Sequence, residues 1–411
     1  MTDVATGEAA SSFHAAERLG RIKPSPSTAA AARVRQLKDE GRRILDLTVG
    51  EPDFDTPDHV KHAAIAAIEA GETKYTPVNG TPRLRAAIRG ALRRTHGIEY
   101  SDAELTVGGG GKQVIFLAFM ATVDAGDEVL IPAPYWVSYP DMVRANEGTP
   151  VIVETSVENG YKISATELEA AITDRTTWLV LNSPGNPSGA IHTEAELAEL
   201  AEVLRRHPHV SVLSDEIYSE ISFTGAPAPS LAGVAPDLRH RVLVVSGVSK
   251  SYAMTGWRLG YAAGDPALVK AINTLQSQTS SCPSSISQAA AAAALEGPQD
   301  FIAESVPVYR ERRDAAVAGL QAIDGLTPLV PDGAFYLYVD CAGLIGRTTA
   351  EGAALENDQD VTLYLLDHAG VAVIQGSAYG RSPFFRISFA TDIDTINAAV
   401  AEIAAAVEAL R

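Results

Sequence analysis

Short apolar runs alternate with helical segments through the middle of the chain. The predicted strands lie at residues 129–131, 151–154, 178–181, 210–213 and 242–245. A strand that is followed by a helix and another strand is typical of a unit in which the two strands run parallel. The pattern therefore predicts a mostly parallel sheet with crossover helices, which would bind its ligands beyond the carboxyl ends of the strands.

The flanking segments carry further helix and strand signals. Residues 56–58 form a Thr-Pro-Asp start for a helix that runs to about Ala70, with Gly71 as its stop. Gly297-Pro298 is predicted to be a hinge before a long charged helix at 303–323. The remaining predicted elements are strands at 334–339 and 385–389 and a closing helix with apolar residues at 393, 396, 400, 403 and 407.

Length and pattern together predict an α/β fold with two domains. A chain of 411 residues is long enough to bury a large core and exceeds the usual size of one domain. We expect an N-terminal arm at residues 1–25 and a large domain with the mostly parallel sheet at 58–295. A smaller α/β domain would combine residues 26–57 with 296–411.

Composition narrows the classes of function. A net charge of −18 argues against partners such as nucleic acid or an anionic membrane. Two cysteines, Cys282 and Cys341, indicate a reducing compartment without a disulfide framework, and the nine histidines show no metal-binding cluster. Because residues 1–12 lack the basic start and apolar core of a signal peptide, we expect a cytoplasmic location.

The segment from Ser246 to Arg258 contains the most informative side chains. Lys250 follows the predicted strand at 242–245 among small and hydroxyl-bearing residues, and Arg258 comes eight residues later. An unhindered amine suits a Schiff base with an aldehyde, and the hydroxyl groups with the guanidinium suit a phosphate. A lone lysine after a strand is also a common surface residue, so other parts of the chain must decide.

Two further side chains follow the predicted strand at 210–213. Asp215 could keep the nitrogen of a pyridine ring protonated, which would make the ring a strong electron sink. Tyr218, three residues later, could reach a phenolic oxygen of the same ring. The alternative is an aspartate that caps a helix, beside a tyrosine of the core.

Three other motifs fit a flat ring that carries a phosphate. Prolines and glycines at residues 182–189 leave Asn186 as the main polar group of a rigid loop. Glycines at 108–111 precede an apolar helix at 114–123, and backbone N–H groups at a helix N-terminus bind anions. Trp136 could stack on the ring. The alternative for residues 182–189 is an ordinary turn, and the alternative for Trp136 is a tryptophan of the core.

These motifs together resemble one family. The chain is similar to the class I aminotransferases of the fold-type-I pyridoxal-phosphate enzymes, and most similar to the bacterial aspartate aminotransferase branch. The resemblance covers nearly all of the chain and includes Lys23-Pro-Ser25, Leu47-Thr-Val-Gly50-Glu-Pro-Asp-Phe-Asp-Thr-Pro57, Lys74-Tyr-Thr-Pro77 and Phe385-Arg386-Ile-Ser388.

The resemblance implies a role for each residue around the cofactor, pyridoxal 5'-phosphate. Lys250 would form the Schiff base and move the proton, and Asp215 would pair with the ring nitrogen. Asn186 and Tyr218 would contact the ring oxygen, and Trp136 would stack on the ring.

The phosphate contacts implied by the resemblance come from two subunits. Within one chain they are the backbone amides of Gly110, Gly111 and Lys112 with the side chains of Ser249 and Arg258. Tyr75 would reach the phosphate bound by the partner subunit, which implies a homodimer. Gly247 departs from the family, since some relatives have a second phosphate-binding serine there.

The same resemblance implies contacts to an amino-acid substrate and a 2-oxo-acid substrate. Arg386 would bind the α-carboxylate as a bidentate fork, with help from Gly50 and Asn186. The alternative is a buried ion pair between Arg386 and a protein acid. In the bacterial branch, Lys112 and a hydroxyl at Ser27 would bind a distal carboxylate; the alternative is a solvated Lys112 side chain.

The expected reaction moves an amino group from an amino acid to a 2-oxo acid with ping-pong kinetics; aspartate is the expected donor and 2-oxoglutarate the expected acceptor. The same fold also supports C–S lyases and aminotransferases for aromatic or specialised substrates. A cofactor-sensing regulator is the non-enzyme alternative, but it would need a DNA-binding domain before the fold.

Overall fold

The computed structural model describes residues 14–24 and 26–411. The helices are α1 (Pro26–Asp39), α2 (Asp58–Glu69), α3 (Pro82–His96), α4 (Gly111–Thr122), α5 (Tyr139–Ala145), α6 (Ala165–Ala171), α7 (Glu194–Arg206), α8 (Leu231–Val234), α9 (Pro266–Thr279), α10 (Ser285–Glu296), α11 (Asp300–Gln321), α12 (Asp358–Tyr364) and α13 (Ile393–Glu408). The strands are β1 (Leu45–Asp46), β2 (Leu105–Gly108), β3 (Glu128–Ala133), β4 (Thr149–Glu154), β5 (Thr176–Asn182), β6 (Ser211–Asp215), β7 (Val242–Gly247), β8 (Gly260–Ala263), β9 (Thr327–Leu329), β10 (Tyr336–Asp340), β11 (Val371–Ala372), β12 (Ile374–Gln375) and β13 (Phe384–Ser388).

The central sheet has seven strands in the order β2-β8-β7-β6-β5-β3-β4. Neighbouring strands from β7 to β4 pair in parallel, whereas β8 is antiparallel to both β2 and β7. The predicted mostly parallel sheet is confirmed. The sequence pattern missed β2 and β8, because these four-residue strands contain glycine and alanine rather than a long apolar run.

Helices cover both faces of this sheet. One face packs against α2, α3, α7 and α10, and the other packs against α4, α5 and α9. A strand that is buried on both faces has no polar side to alternate with, so it shows a continuous apolar run. This burial explains why the strands at 178–181 and 242–245 were recognisable from the sequence.

Residues 56–58 lie at the start of a helix, as predicted, but no side-chain cap hydrogen bond forms there. Helix α2 begins at Asp58 and stops before Gly71, whose φ of +76° is the left-handed conformation expected of a stop. Pro57 occupies the N-cap position and makes no side-chain cap hydrogen bond. The Thr56 hydroxyl instead donates to the Ala253 carbonyl at 2.7 Å, so it ties this helix to the loop after Lys250.

A second, smaller sheet forms near the C-terminus, in the order β12-β13-β10-β9. The two predicted strands pair here, with Leu337 opposite Ile387 in an antiparallel register. A separate core joins Leu47 with apolar residues of α11, β10, β13 and α13. We propose the domain division stated above, with residues 26–57 and 296–411 in the small domain; the pairing of β1 with β11 supports it.

Within the described ranges, no helix combines the length and the apolar character needed to cross a membrane.

Candidate active site

A cleft of about 380 Å³ opens beyond the carboxyl ends of β5, β6 and β7. Among the predicted site residues whose side chains are described, all line it except Tyr75. The lining residues from the prediction are Gly50, Gly110, Gly111, Lys112, Trp136, Asn186, Asp215, Tyr218, Ser249, Lys250, Arg258 and Arg386. The prediction did not include the lining residues Thr48, Glu51, Tyr139, Asn182 and Tyr336.

Lys250 lies three residues after the end of β7 and points into the cleft. Its Nζ donates to the Gly50 carbonyl at 2.5 Å. Burial lowers the pKa of Lys250 to about 8, although the nearby Glu51 carboxylate opposes the shift. The amine is therefore much closer to its neutral, nucleophilic form than a surface lysine is.

Asp215 is the last residue of β6 and is 6% exposed. Its carboxylate accepts from the Tyr139 hydroxyl at 2.6 Å and from the Ile217 N–H at 3.3 Å, and makes no ion pair among the described residues. Burial raises the pKa of Asp215 to about 6, and the Tyr139 hydrogen bond opposes this shift. Turns at residues 217–220 follow the strand, so the helix-cap alternative is wrong.

Tyr218 and Tyr336 form a buried pair of phenols at the cleft wall. Their hydroxyl oxygens are 2.8 Å apart, and burial raises the pKa of each. Tyr336 comes from β10 in the smaller sheet, and its hydroxyl would lie 2.8 Å from a Cβ at Gly50. Gly50 thus lets this hydroxyl approach the backbone that accepts from Lys250.

Asn182 organises the loop that carries Asn186. Its side-chain nitrogen donates to the Asp215 carbonyl at 3.0 Å, and its oxygen accepts from the Asn186 N–H at 2.8 Å. Asn186 is 7% exposed. The last residue of β5 therefore fixes Asn186 relative to β6. In the sequence, Asn182 is recognisable only as the polar residue that follows an apolar run.

Arg386 on β13 is a buried cation that has no acidic partner in the described part of the chain. It is 3% exposed; Nη1 donates to Asn186 Oδ1 at 3.1 Å, and Nη2 donates to the Thr48 carbonyl at 2.6 Å. Its Nε has no hydrogen-bond partner. The alternative of an ion pair with a protein acid is wrong for these residues. A buried, uncompensated guanidinium favours an anionic ligand.

The glycine loop packs tightly against β8 and Arg258. A Cβ at Gly260 would lie 2.3 Å from the Gly111 nitrogen, and one at Gly110 would lie 2.5 Å from Arg258 Nη2. Gly110 also has a φ of +100°. Helix α4 begins at Gly111, so its first N–H groups face the cleft near the Arg258 guanidinium and buried Ser249. This donor set fits a phosphate.

Gly247 is enclosed at the same place. A Cβ there would lie 3.1 Å from both the Gly260 Cα and the Leu259 carbonyl. The close pairing of β7 with β8 leaves little room for a serine at this position, which gives the departure from the family pattern a steric reason.

Trp136 and Lys112 form the outer wall. Lys112 Nζ lies 4.8 Å from the centroid of the Trp136 ring, which meets Tyr139 edge-on at 5.2 Å. Burial, and then the charge of Arg258, lower the pKa of Lys112. Lys112 makes no ion pair with a described acid. The Trp136 ring borders the cleft, so it is not solely a core residue.

Tyr75 and Ser27 are the two predicted residues that the cleft of this chain does not test. Tyr75 is 90% exposed and does not line it. Ser27 belongs to the backbone of α1, but its side chain lies outside the described residues.

The chemistry of the donors fits one kind of cofactor. A buried carboxylate, two phenols, an amide and an indole surround the space for a flat ring. At one end of the cleft, the N-terminus of α4, the Ser249 hydroxyl and the Arg258 guanidinium could bind a phosphate. The Lys250 amine, with its lowered pKa, lines the same cleft.

Comparison with known proteins identifies the family. The model for aminotransferase class I and II matches residues 42–403. An aspartate aminotransferase from Rhizobium meliloti (strain 1021) is 51% identical over 398 residues, which are 97% of this chain and 97% of the relative. An aspartate/prephenate aminotransferase from Cereibacter sphaeroides is 49% identical, over 95% of this chain and 97% of the relative.

Solved structures agree with this result. A crystal structure of the aspartate aminotransferase from Rhizobium meliloti matches with a TM-score of 0.95 and 50% identity, over 97% of this chain and 100% of that one. The aspartate aminotransferase from Thermus thermophilus with maleate has a TM-score of 0.89 and 38% identity, over 96% of this chain and 100% of that one. The chain therefore belongs to the class I and II aminotransferases, as a fold-type-I enzyme that uses pyridoxal 5'-phosphate to transfer amino groups between amino acids and 2-oxo acids.

Proposed function

We propose that this aminotransferase takes its amino group from aspartate and passes it to 2-oxoglutarate in a ping-pong reaction. The observation that carries the proposal is Arg386, which lines the same cleft as Lys250 and Asp215. Its buried guanidinium has no acidic partner among the described residues. The names of the relatives that match nearly the whole chain point to aspartate as the donor.

We propose that the cleft residues hold the cofactor as follows. Asp215 would pair with the ring nitrogen, Asn186 and Tyr218 would contact the ring oxygen, and Trp136 would stack on the ring. The phosphate donors would be the backbone amides of Gly110, Gly111 and Lys112 with the side chains of Ser249 and Arg258. When bound, pyridoxal phosphate supplies an aldehyde that bonds amino groups and a ring that withdraws electrons from the adjoining carbon.

In this proposal Lys250 takes and returns the proton at the substrate α-carbon. A pKa of about 8 supports the role, because an acid–base group works best when its pKa lies near the working pH. The Gly50 carbonyl that accepts from Nζ orients the amine toward the cleft. The Tyr139 hydroxyl orients the Asp215 carboxylate, which forms no ion pair among the described residues.

Substrate binding is proposed to depend on charge at both ends of the molecule. Arg386 would bind the α-carboxylate, while Asn186 and the backbone of Gly50 complete that end. Lys112 would bind a distal carboxylate, together with a hydroxyl at Ser27. The absence of an acid beside Lys112 among the described residues supports this assignment, since the ammonium group is available for a ligand.

We also propose a cytoplasmic homodimer in which Tyr75 reaches the partner's cofactor phosphate. Tyr75 is 90% exposed in the single chain, an unusual state for a large aromatic side chain that a subunit interface would relieve.

A panel of amino donors with 2-oxoglutarate tests the proposed reaction. Aspartate should give the highest kcat/KM, and initial rates at several fixed acceptor concentrations should give parallel double-reciprocal lines. Release of a 2-oxo acid from a sulfur-containing amino acid without any acceptor, at a rate above that of transamination, would instead identify a C–S lyase.

Prephenate is a second candidate acceptor. Relatives 49% identical to this chain are named aspartate/prephenate aminotransferases, and prephenate, like 2-oxoglutarate, carries two carboxylates. Measuring aspartate consumption with prephenate in place of 2-oxoglutarate would show whether the cleft accepts the larger acid.

A further inference from the structure

The residue that follows Asp215 carries a second buried carboxylate. Glu216 is 2% exposed, and its N–H donates to the Val245 carbonyl at 2.8 Å, which extends the pairing of β6 with β7. Side chains alternate between the two faces of a strand. Asp215 therefore lines the cleft while Glu216 faces the other side of the sheet, toward the end of α3.

Three side chains from separate segments hold the Glu216 carboxylate. The hydroxyls of Ser214 and Ser230 each donate to Oε1 at 2.7 Å. His96 Nε2, from the last residue of α3, lies 3.0 Å from Oε2 in an almost fully buried pair. Burial opposes a charged His96, but Glu216 outweighs it, so the pKa of His96 is raised.

The charged and titratable groups around this pair come from several elements. Burial raises the pKa values of Tyr100 and Tyr261, so both phenols stay neutral near neutral pH. Burial also raises the pKa of Glu220, and the charge of Glu220 raises the pKa of His96. The charge of Arg94 opposes the shift of Glu220. The guanidinium carbon of Arg239 lies 4.7 Å from the centroid of the Tyr100 ring.

We propose that Glu216 is a positioning residue for Asp215: it anchors the end of β6, and its negative charge strengthens the attraction of Asp215 for a protonated ring nitrogen. This inference rests on the proposed role of Asp215 in binding the cofactor.

The anchoring works through the backbone around Asp215. The Asp215 carbonyl accepts from Asn182 Nδ2 at 3.0 Å and from the Ser183 N–H at 3.3 Å, and the next N–H is bonded to β7. The Glu216 side chain adds three contacts one residue away. A shift of this residue would therefore move both the Asp215 carboxylate and the loop that carries Asn186.

The electrostatic part follows from the charges that act on Asp215. Its hydrogen-bond donors among the described residues are neutral; Glu216 adds to the effect of burial in raising the pKa of Asp215, and the Lys250 charge opposes that shift. A nearby negative charge stabilises any cation in the cleft, and the Glu216 carboxylate supplies that charge where its partner His96 is neutral. Removing it should lower the proton affinity of the bound cofactor by about tenfold, or one pH unit.

Glu216→Gln tests the proposal, because glutamine keeps the shape and can still accept from both serines. Glu128→Gln is the matched control: Glu128 is 6% exposed, accepts from the Thr173 hydroxyl at 2.6 Å and pairs with Arg175, but lies at the amino end of β3. Both variants are loaded with pyridoxal phosphate, and its absorption is titrated with pH without substrate.

We expect the midpoint of the Glu216→Gln titration to move down by about one pH unit, with cofactor affinity and kcat each about tenfold lower and KM little changed. Glu128→Gln should match the wild type. A Glu216→Gln titration and affinity equal to those of Glu128→Gln would overturn the inference. If the Glu216→Gln variant does not fold, Ser230→Ala is measured instead, because it keeps the Glu216 charge but removes one hydrogen bond to the carboxylate. A cofactor affinity of Ser230→Ala equal to that of the wild type would overturn the anchoring role.

Asp215→Asn separates this inference from the proposed function. If Asp215→Asn leaves cofactor affinity and titration unchanged, the proposed role of Asp215 fails. If Asp215→Asn changes both while Glu216→Gln changes neither, only the positioning role of Glu216 fails.

Discussion

Two buried arginines near the C-terminus, Arg312 and Arg386, differ in whether the protein itself neutralises their charge. Arg312 on α11 is 8% exposed and forms a two-bond ion pair with Asp53, with both distances at 2.8 Å. Arg386 on β13 is 3% exposed and has only neutral hydrogen-bond partners among the described residues. Both lie against aromatic rings, so the presence of a carboxylate is the difference that matters.

The same contrast extends to the other charged groups. Lys162, outside the cleft, contacts both oxygens of Glu196 at 2.6 and 2.7 Å. Lys250 and Asp215 line the cleft and form no ion pair with any residue that the structure describes. A buried charge without a partner is unfavourable for folding. These groups are therefore the ones whose partners we expect to be ligands, and their substitution separates catalysis from stability.

Lys250→Ala should have the largest effect. We expect turnover to fall by about 10⁴-fold or more, because the residue proposed to bond the cofactor and to move the proton is lost. Lys162→Ala removes a paired lysine outside the cleft and serves as the control, with turnover near that of the wild type. Steady-state assays of both variants, loaded with cofactor, measure the difference; comparable rates would contradict every assigned role.

Asp215→Asn should lower kcat by about 10²- to 10³-fold, since preorganised charge near the reacting group is removed. Asp215→Glu should retain part of the rate because it keeps the charge. An unchanged kcat together with an unchanged cofactor spectrum would show that Asp215 does not serve the ring nitrogen.

The same Asp215→Asn variant should make the cofactor-free protein more stable above pH 6. The pKa of Asp215 rises from 3.8 unfolded to about 6 folded, so its burial destabilises the fold progressively between these values and fully above them. Removing the carboxylate should add up to about 3 kcal/mol at pH 7. Below pH 3.8, where both states are protonated, the gain should vanish. Denaturant unfolding at pH 3.5 and 7 checks this prediction, provided that both proteins remain folded.

Arg386→Lys should lower kcat/KM by about a hundredfold for donors and acceptors alike, because lysine lacks the planar two-bond fork. Arg312→Lys is the matched control outside the cleft; it should lower stability and leave KM unchanged. A loss at Arg386→Lys confined to one donor would assign Arg386 to a side-chain pocket.

Lys112→Ala should have the smallest and most selective effect. Loss of an ammonium partner for a partly buried carboxylate should weaken aspartate and 2-oxoglutarate by about tenfold, with much smaller effects on alanine and phenylalanine. Comparing kcat/KM for the four substrates measures this selectivity. An equal loss for all four would mean that Lys112 serves the cofactor instead.

The sequence was most informative for polar residues that come within a few positions of the end of an apolar run. Lys250, Asp215 and Asn186 were recognisable because each comes soon after a strand that is buried on both faces. Tyr336, Tyr139 and Asn182 were not, although the first contacts Tyr218, the second donates to Asp215, and the third fixes the Asn186 loop. Each also makes a hydrogen bond to a residue distant in sequence, which for Asn182 is the bond to the Asp215 carbonyl, and such a pairing has no local pattern.

The sequence alone determined the class of sheet, the positions of β3 to β7 along the chain and several of the side chains that follow their carboxyl ends. These follow from local periodicity and from the geometry of parallel strands. Only the tertiary structure decided which charges are paired. Arg312 has charged neighbours in the sequence, such as Glu311 and Asp314, whereas Arg386 has apolar ones. Neither pattern identifies the partner of the arginine. Packing against the segment after β1 brings Asp53 to Arg312, and Arg386 meets only neutral hydrogen-bond partners among the described residues, because long-range contacts set the partner of a buried charge.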